Sequence, residues 1–255
     1  MKHENGIIKR SRDLSISAGI YELLIETEIA SEAQPGQFVM VYPGSKDTLL
    51  PRPISICEVK DGMIRLVYRV AGRGTKEFSD LDEGELIRIM GPVGNGFPLD
   101  KASGNVVLMG GGIGIPPILE LSKRLKDKDP VSILGYRDSD LFLGKDFEEQ
   151  GRVLYATEDG SAGTKGNVLD ALKAGGIHPD VIMACGPMPM LHAIKGYAKE
   201  NGVKAYISLE ERMACGVGAC LGCVCRTVSK DAHSHVNNAR VCTEGPVFDS
   251  RVVEI

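Results

Sequence analysis

Five of the seven cysteines fall between Cys215 and Cys242, and four of them, Cys215, Cys220, Cys223 and Cys242, follow the spacing C-x4-C-x2-C…C. Four thiolates at that plant-type spacing suit a [2Fe–2S] cluster. The residues between them fit the task. Gly216, Gly218, Ala219 and Gly222 are small enough for the backbone to wrap closely round an inorganic core and turn its N–H groups toward the sulfurs. A structural zinc site would use two Cys-x2-Cys knuckles or Cys/His pairs, and only one such knuckle, Cys220–Cys223, is present. Zinc stays open as a competing reading. His233 and His235 lie in the polar stretch SKDAHSHVNN, where a solvated loop competes with a Rieske-type ligand pair. Strand-like alternation after Cys223 points Cys225 away from the cluster, and Cys57 reads as a small core residue.

A second chemistry is written in glycine. Gly110–Gly114 (GGGIG) follows the apolar run Val106–Met109 and precedes the helical pattern Pro116–Lys126. A glycine loop at a helix start can cradle a phosphate, because backbone N–H groups and the helix dipole favour an anion. No Lys-Ser or Lys-Thr follows, so this is not a Walker loop, and Pro117 stands where the third glycine of G-x-G-x-x-G would be. A tight βα turn without a ligand therefore competes. Cys185-Gly186-Pro187 ends another strand on the carboxyl edge where α/β sheets bind ligands, although a thiol there can equally serve packing. Arg52-Pro53-Ile54-Ser55 offers a cation able to pair with a pyrophosphate and a hydroxyl able to reach a ring nitrogen. The same run also reads as a strand start with a surface arginine. Val67-Tyr68-Arg69 and Gly74-Thr75 are equally two-sided, with Tyr68 either stacking on a flat ring or filling a core. Arg137, Asp138 and Asp140 follow the second strand of the α/β region, where a ribose 2′-hydroxyl or 2′-phosphate would be read.

The elements that must position these groups change character along the chain. Ile20–Thr27, Gln37–Tyr42, Ile54–Val59 and Met63–Val70 are short, β-branched runs separated by turn signals, which predicts an antiparallel barrel or sandwich. Met90–Pro98 reads as a linker or binding loop. From about Asn105, the apolar runs Val106–Met109, Val131–Tyr136, Val153–Thr157 and Val181–Ala184 alternate with helical stretches at Pro116–Lys126, Val168–Ala174 and Met190–Glu200. That alternation predicts a parallel sheet. The expected modules are residues 1–100, 101–204 and 205–255. The last is short and poor in apolar residues, so it needs a metal or other staple.

Composition narrows the partners. A net charge of −4 offers no cationic excess for nucleic acid, and no apolar run approaches the ~18 residues a membrane helix needs. Met1–Gly6 lacks the apolar segment of a secretory signal, which predicts a cytoplasmic chain. An odd cysteine count then argues against a disulfide framework.

In order, RPIS, VYR, GT, MGPVGNGF, GGGIGIPP, CGPM, SLEERMACGVGAC and RVCTEGPVF resemble the ferredoxin-reductase flavoproteins. The last two resemble, more narrowly, the electron-transfer subunits of NAD-dependent dihydroorotate dehydrogenases. The resemblance implies a flavin barrel, a nucleotide domain and a cluster module. It implies FAD held by Arg52, Pro53, Ile54, Ser55, Val67, Tyr68, Arg69, Gly74 and Thr75. NAD would approach Gly111, Gly112 and Gly114, with Cys185 near the nicotinamide, and the cluster would be ligated by Cys215, Cys220, Cys223 and Cys242. It further implies electron flow from NADH through FAD and [2Fe–2S] to the FMN of a catalytic partner in pyrimidine biosynthesis, as a two-plus-two heterotetramer. Reductase-like subunits of a hydrogenase or of a ferredoxin–NADP transhydrogenase share the first two modules, and a zinc-stapled nucleotide sensor is the non-enzymatic alternative.

Overall fold

A computed structural model describes residues 1–15, 17–230 and 235–255; His233 lies outside the described residues. The first six strands are β1 (Lys2–Ser15), β2 (Ile20–Glu26), β3 (Phe38–Tyr42), β4 (Arg52–Lys60), β5 (Met63–Arg69) and β6 (Leu86–Val93). They close an antiparallel barrel in the order β1-β2-β5-β4-β3-β6, with β1 pairing β6 from Lys2↔Gly91 to Ile7↔Leu86. Alternation in the strands sends Ile25, Val39, Ile56, Leu66 and Ile89 inward. Helix α1 (Arg73–Ser79) lies on this barrel and buries Phe78. The expected loop at residues 90–98 is shorter than read, because β6 continues through Val93.

The second body is a seven-stranded sheet in the order β10-β9-β8-β7-β11-β12-β15. Its strands are β7 (Val106–Gly111), β8 (Val131–Tyr136), β9 (Val153–Thr157), β10 (Thr164–Lys165), β11 (Val181–Cys185), β12 (Lys204–Ser208) and, after β13 (Val224–Arg226) and β14 (Asn238–Arg240), β15 (Val247–Asp249). All neighbours are parallel except β12 and β15. Helices α2 (Pro116–Arg124), α3 (Gly144–Glu148), α4 (Val168–Ala174) and α5 (Met188–Asn201) cover its faces. Burial on both faces explains why β7 and β11 read as unbroken apolar runs rather than alternating ones.

Chain order turns back between β7 and β11, since β8, β9 and β10 extend to one side and β12 to the other. The tail is not a separate body: β12 begins at residue 204, and β15 returns to lengthen the same sheet. Between them, β13 and β14 form a small hairpin carrying the cysteine loop. Cys223, Val241 and Cys242 belong to the same buried cluster as Phe38, Met40 and Met90 of the barrel. Thus the tail packs on both larger bodies.

Candidate functional site

The barrel opens at one end. Strand β4 pairs β5 only from Ile56↔Leu66 to Lys60↔Met63, while its first half turns to β3 through Arg52↔Val41 and Ser55↔Phe38. Arg52–Ser55 and Val67–Arg69 therefore flank a slot in which strand backbone has no partner across the gap. Such a slot suits the edge of a flat heterocycle, which can take the exposed backbone groups. Below it, Gly74 lies against Arg52: a methyl built on Gly74 would stand 2.9 Å from Nε and 3.1 Å from Nη2. Arg52 also donates from Nη1 to the Leu50 carbonyl at 2.7 Å. Glycine at 74 keeps a guanidinium beside the first turn of α1, a cation and open amides that suit a pyrophosphate.

Two sequence expectations take a more definite form here. The Thr75 hydroxyl accepts from the Ala71 and Gly72 amides at 2.9 and 3.2 Å and donates to the Gly72 carbonyl at 3.0 Å. It shapes the entry to α1, so what Thr75 can offer a phosphate is its backbone N–H. Tyr68 fills the barrel, T-shaped to Phe78 and stacked with Tyr21. Its hydroxyl is buried without a protein partner. Burial, with the charge fields of Tyr21, Asp80 and Asp13 adding to it, holds that phenol above its ordinary range.

At the turning point of the sheet, the two glycine-bearing turns meet. A methyl on Gly114 would stand 2.5 Å from the Cys185 carbonyl and from the Gly186 Cα, and one on Gly111 would stand 2.5 Å from Met190 Sδ. Gly112 has φ +51° with open space beside it. The carboxyl ends of β7 and β11 are thus brought together where doubly wound sheets take nucleotides. Cys185 is buried; burial, and secondarily the charge of Glu210, push its thiol up to about 12 against a hydrogen bond with Ser208. Glu210, two residues past β12, was not singled out from sequence. Its carboxylate acts on Cys185, and the charge of Arg69 acts on Glu210 in turn. Only the fold could reveal it, because Arg69 lies 141 positions earlier in the chain.

Asp140 is not placed as a ribose ligand. Its carboxylate accepts from the hydroxyls of Ser15 and Ser17, joining the barrel to the sheet. Asp138 caps its own turn through the Asp140 amide at 2.9 Å.

In the tail, the four thiols lie as two linked pairs, Cys215 with Cys220 and Cys223 with Cys242. The Val217 amide donates to Cys215 Sγ at 3.4 Å, and the amides of Ala219 and Cys220 face the same sulfur. Val217 is the chief cause that brings the Cys215 thiol down to about 6, against the effect of burial. Burial and the neighbouring Cys223 raise Cys242 to about 11, opposed by the Gly218 amide. A loop that points amides at sulfur, with Cys223 and Cys242 buried and Cys215 and Cys220 nearer the surface, fits an anionic iron–sulfur core. Gly216, at φ +69°, packs on Met40 and Met90 of the barrel, and a methyl built on it would stand 2.7 Å from Met40 Cγ. Cys225 is half-buried on the hairpin, Cys57 is buried, and His235 is exposed.

A family model described as the iron-sulfur cluster binding domain of dihydroorotate dehydrogenase B matches residues 210–254. The chain is 42% identical over 248 residues to the dihydroorotate dehydrogenase B (NAD(+)) electron transfer subunit of Lysinibacillus sphaericus, covering 94% of this chain and 95% of that one. It is 42% identical over 257 residues to the subunit of the same name from Bacillus mycoides, covering 97% of each. Among solved structures, that of an NADH-dependent reduced ferredoxin-NADP oxidoreductase superposes with a TM-score of 0.86 at 28% identity, over 98% of this chain and 90% of that one. A ferredoxin NADP+ reductase from Neisseria gonorrhoeae shares the fold, with a TM-score of 0.67 at 15% identity over 83% and 94% of the two chains. The cofactor set is accordingly FAD, NAD and a [2Fe–2S] cluster, and the zinc alternative gives way. With barrel, sheet and cysteine loop all matched over nearly the full length, the chain belongs to the family of electron transfer subunits of dihydroorotate dehydrogenase B (NAD(+)).

Proposed function

We propose that the chain carries electrons between NADH and the FMN of a catalytic dihydroorotate dehydrogenase subunit: from that FMN to NAD+ when dihydroorotate is oxidised in pyrimidine (UMP) biosynthesis, and from NADH to the FMN in the reverse direction, with orotate as acceptor. When bound, FAD takes the hydride of NADH as an electron pair and releases electrons singly, as a one-electron cluster requires. The chain's own residues bind, orient and insulate. Arg52, Pro53, Ile54 and Ser55 on one side of the slot, with Val67, Tyr68 and Arg69 on the other, hold the flavin edge. Arg52 and the amides of Gly74 and Thr75 hold its pyrophosphate. Gly111, Gly112 and Gly114 admit the dinucleotide, and Cys185, a neutral thiol near pH 7, positions the nicotinamide by contact rather than by moving a proton. Cys215 and Cys220 hold one iron, Cys223 and Cys242 the other. Residues 1–100, 101–204 and 205–255 form the flavin, nucleotide and cluster modules, the last lending most of β12 and all of β15 to the sheet.

The observation that carries this reading is the seat of the cysteine loop on the barrel. Gly216 rests on Met40 and Met90, and Asn95 Nδ2 of the barrel donates to the carbonyls of Thr243 and Glu244 at 3.1 and 3.2 Å. A cluster in that loop is held against the flavin module by packing and hydrogen bonds. Its outer rim is apolar: Leu221 is 62% exposed and Val217 42%. Leu221 also sits at φ +54°, a conformation that costs an L-residue about 1–2 kcal/mol. An apolar side chain held out at that cost supports docking of the FMN-bearing partner on the rim, and a two-plus-two heterotetramer is the proposed assembly. Among the described residues no helix is long and apolar enough to cross a membrane; a cytoplasmic location is part of the proposal.

Anaerobic stopped-flow on the holoprotein tests the order of transfer. NADH should bleach the flavin first and the cluster afterwards, and addition of the FMN-containing subunit with orotate should reoxidise both. A flavin that NADH does not bleach, or a cluster that stays oxidised, would sink the proposal. Reoxidation by ferredoxin but not by the orotate-linked subunit would favour the transhydrogenase-like alternative.

A further inference from the structure

Thr243 directly follows Cys242, and its backbone is fully engaged. Its N–H donates to the Arg240 carbonyl at 3.1 Å, and its own carbonyl accepts from Asn95 Nδ2 at 3.1 Å. The Asn95 N–H donates in turn to the Gly245 carbonyl at 2.6 Å. A barrel loop thus clamps both ends of the Thr243–Gly245 turn and fixes the backbone that carries the Thr243 side chain.

The hydroxyl is what remains. Thr243 Oγ1 and the Tyr68 hydroxyl are the buried side-chain polar atoms, among the described residues, that have no protein partner. Native structures rarely leave such a group unsatisfied, so an orphan hydroxyl in a ligand loop asks what completes it. The side chain faces Gly218: a methyl built there would stand 3.0 Å from Thr243 Cγ2 and 3.2 Å from Oγ1. Gly218 lies within the Cys215–Cys220 loop at φ +78°, and its amide is turned on Cys242 Sγ. The hydroxyl therefore stands beside the amides that serve the sulfurs, with its proton uncommitted.

We propose that the Thr243 hydroxyl donates a hydrogen bond to the cluster on its Cys242 side and thereby raises its reduction potential. The inference rests on the cluster assignment above. An electron added to the cluster adds negative charge that spreads onto the sulfurs. A donor aimed there stabilises the reduced form more than the oxidised one, so the potential rises. Backbone amides do the same but are fixed by the loop; Thr243 is the side chain through which this sequence can adjust the value.

The test is the midpoint potential of the cluster in the holoprotein, followed by EPR of the reduced form, for the wild type, Thr243→Ser and Thr243→Val. Loss of the donor in T243V should disfavour reduction about tenfold, a shift of about 59 mV downward for one electron. T243S, which keeps the O–H and loses the methyl, should stay near the wild type. Resonance Raman spectra in H2O and D2O should show a deuterium shift of the Fe–S stretches that shrinks in T243V alone. An unchanged potential in a loaded T243V overturns the proposal, as do equal shifts in T243S and T243V, which would assign the effect to the methyl contact with Gly218. If T243V takes up no cluster, Thr243→Ala deletes the same hydroxyl with less bulk and is read in the same way. Failure of both to load also overturns it, because the hydroxyl would then be holding the loop rather than tuning the cluster. A wild type without a [2Fe–2S] signal would instead overturn the underlying assignment.

Discussion

Gly114 has no room for a side chain, and the atoms that exclude one are backbone. A methyl there would meet the Cys185 carbonyl and the Gly186 Cα at 2.5 Å, so the two turns must separate to admit it. Gly114→Ala should therefore cost about 1–3 kcal/mol in stability and raise the KM for NADH, while bound FAD is retained. Gly196 of α5 is the control. Its surroundings are open and its φ is not positive, so Gly196→Ala should leave the KM for NADH unchanged and stabilise the helix by about 0.5–1 kcal/mol. Thermal unfolding of both variants, with NADH kinetics beside it, checks the pair; equal losses in the two would refute close approach as the reason for glycine at 114. Residues of this kind show how far sequence reading reaches. GGGIG marks a glycine loop, but its contact with a turn seventy residues later is made by the parallel pairing of β7 and β11. The cysteine spacing is legible in the sequence because three of the four proposed ligands are close in the chain, with Cys242 brought in by the β13–β14 hairpin.

At the scale of elements, the decisive feature is the parting of β4 from β5. It leaves Arg52 beside Gly74 and opens the slot proposed for FAD. A guanidinium contact with a phosphate is charge-assisted, and such bonds contribute about 1.5–3 kcal/mol. Arg52→Ala should then lower FAD affinity by about 10- to 100-fold, with Arg52→Lys recovering only part, since a lysine lacks the planar fork. The flavin-to-protein ratio after dialysis and the fluorescence of released flavin measure this. Unchanged flavin retention in R52A would remove Arg52 from the binding site. The strands flanking the slot were readable from their alternation, yet the slot was not, because register decides where two strands stop pairing. Of the elements that the sequence does not announce, two show why. Strand β1 is polar along one face and mixes lysine, arginine and glutamate with few apolar residues; barrel closure onto β6 makes it a strand. Helix α1 is only seven residues long and opens on Arg73-Gly74, a poor helical start that the Thr75 hydroxyl stabilises.

The whole molecule depends on the flavin barrel and the nucleotide sheet keeping one relative position, and a buried charge network between them supplies the constraint. Arg65 on β5 donates to the fully buried Glu22 at 2.5 Å, to Glu58 at 3.3 Å and to Asp146 of α3. Lys123 of α2 reaches Glu58 at 2.8 Å, and Glu120 of the same helix accepts the Val59 amide at 2.9 Å. None of this was visible in the sequence, since its members are scattered from residue 22 to 146 and each alone reads as a surface charge. Burial pushes the Glu22 carboxyl upward, but Arg65 and the hydrogen bonds from Arg12 and Arg10 outweigh it and hold it below the usual carboxylate range. Glu58 is likewise lowered: burial acts against it, while Lys123 and Arg65 prevail. Carboxylates with depressed values in the folded state stabilise it above their unfolded pKa of about 4.3 and lose that contribution as pH falls through the folded values. Arg65→Met should leave Glu22 buried with only its two half-exposed arginine partners, at a cost of about 3–5 kcal/mol near pH 7. Asp146 lies nearer the surface, so Asp146→Asn should cost about 1 kcal/mol or less. Urea unfolding of the wild type and R65M between pH 8 and pH 3.5 decides the matter. The gap between them should be widest above pH 5 and close as Glu22 and Glu58 take up protons, because the wild type then loses what the variant never had. A gap that stays constant to pH 3.5 would show that Arg65 acts through packing of its stem, and that charge does not hold the two bodies together.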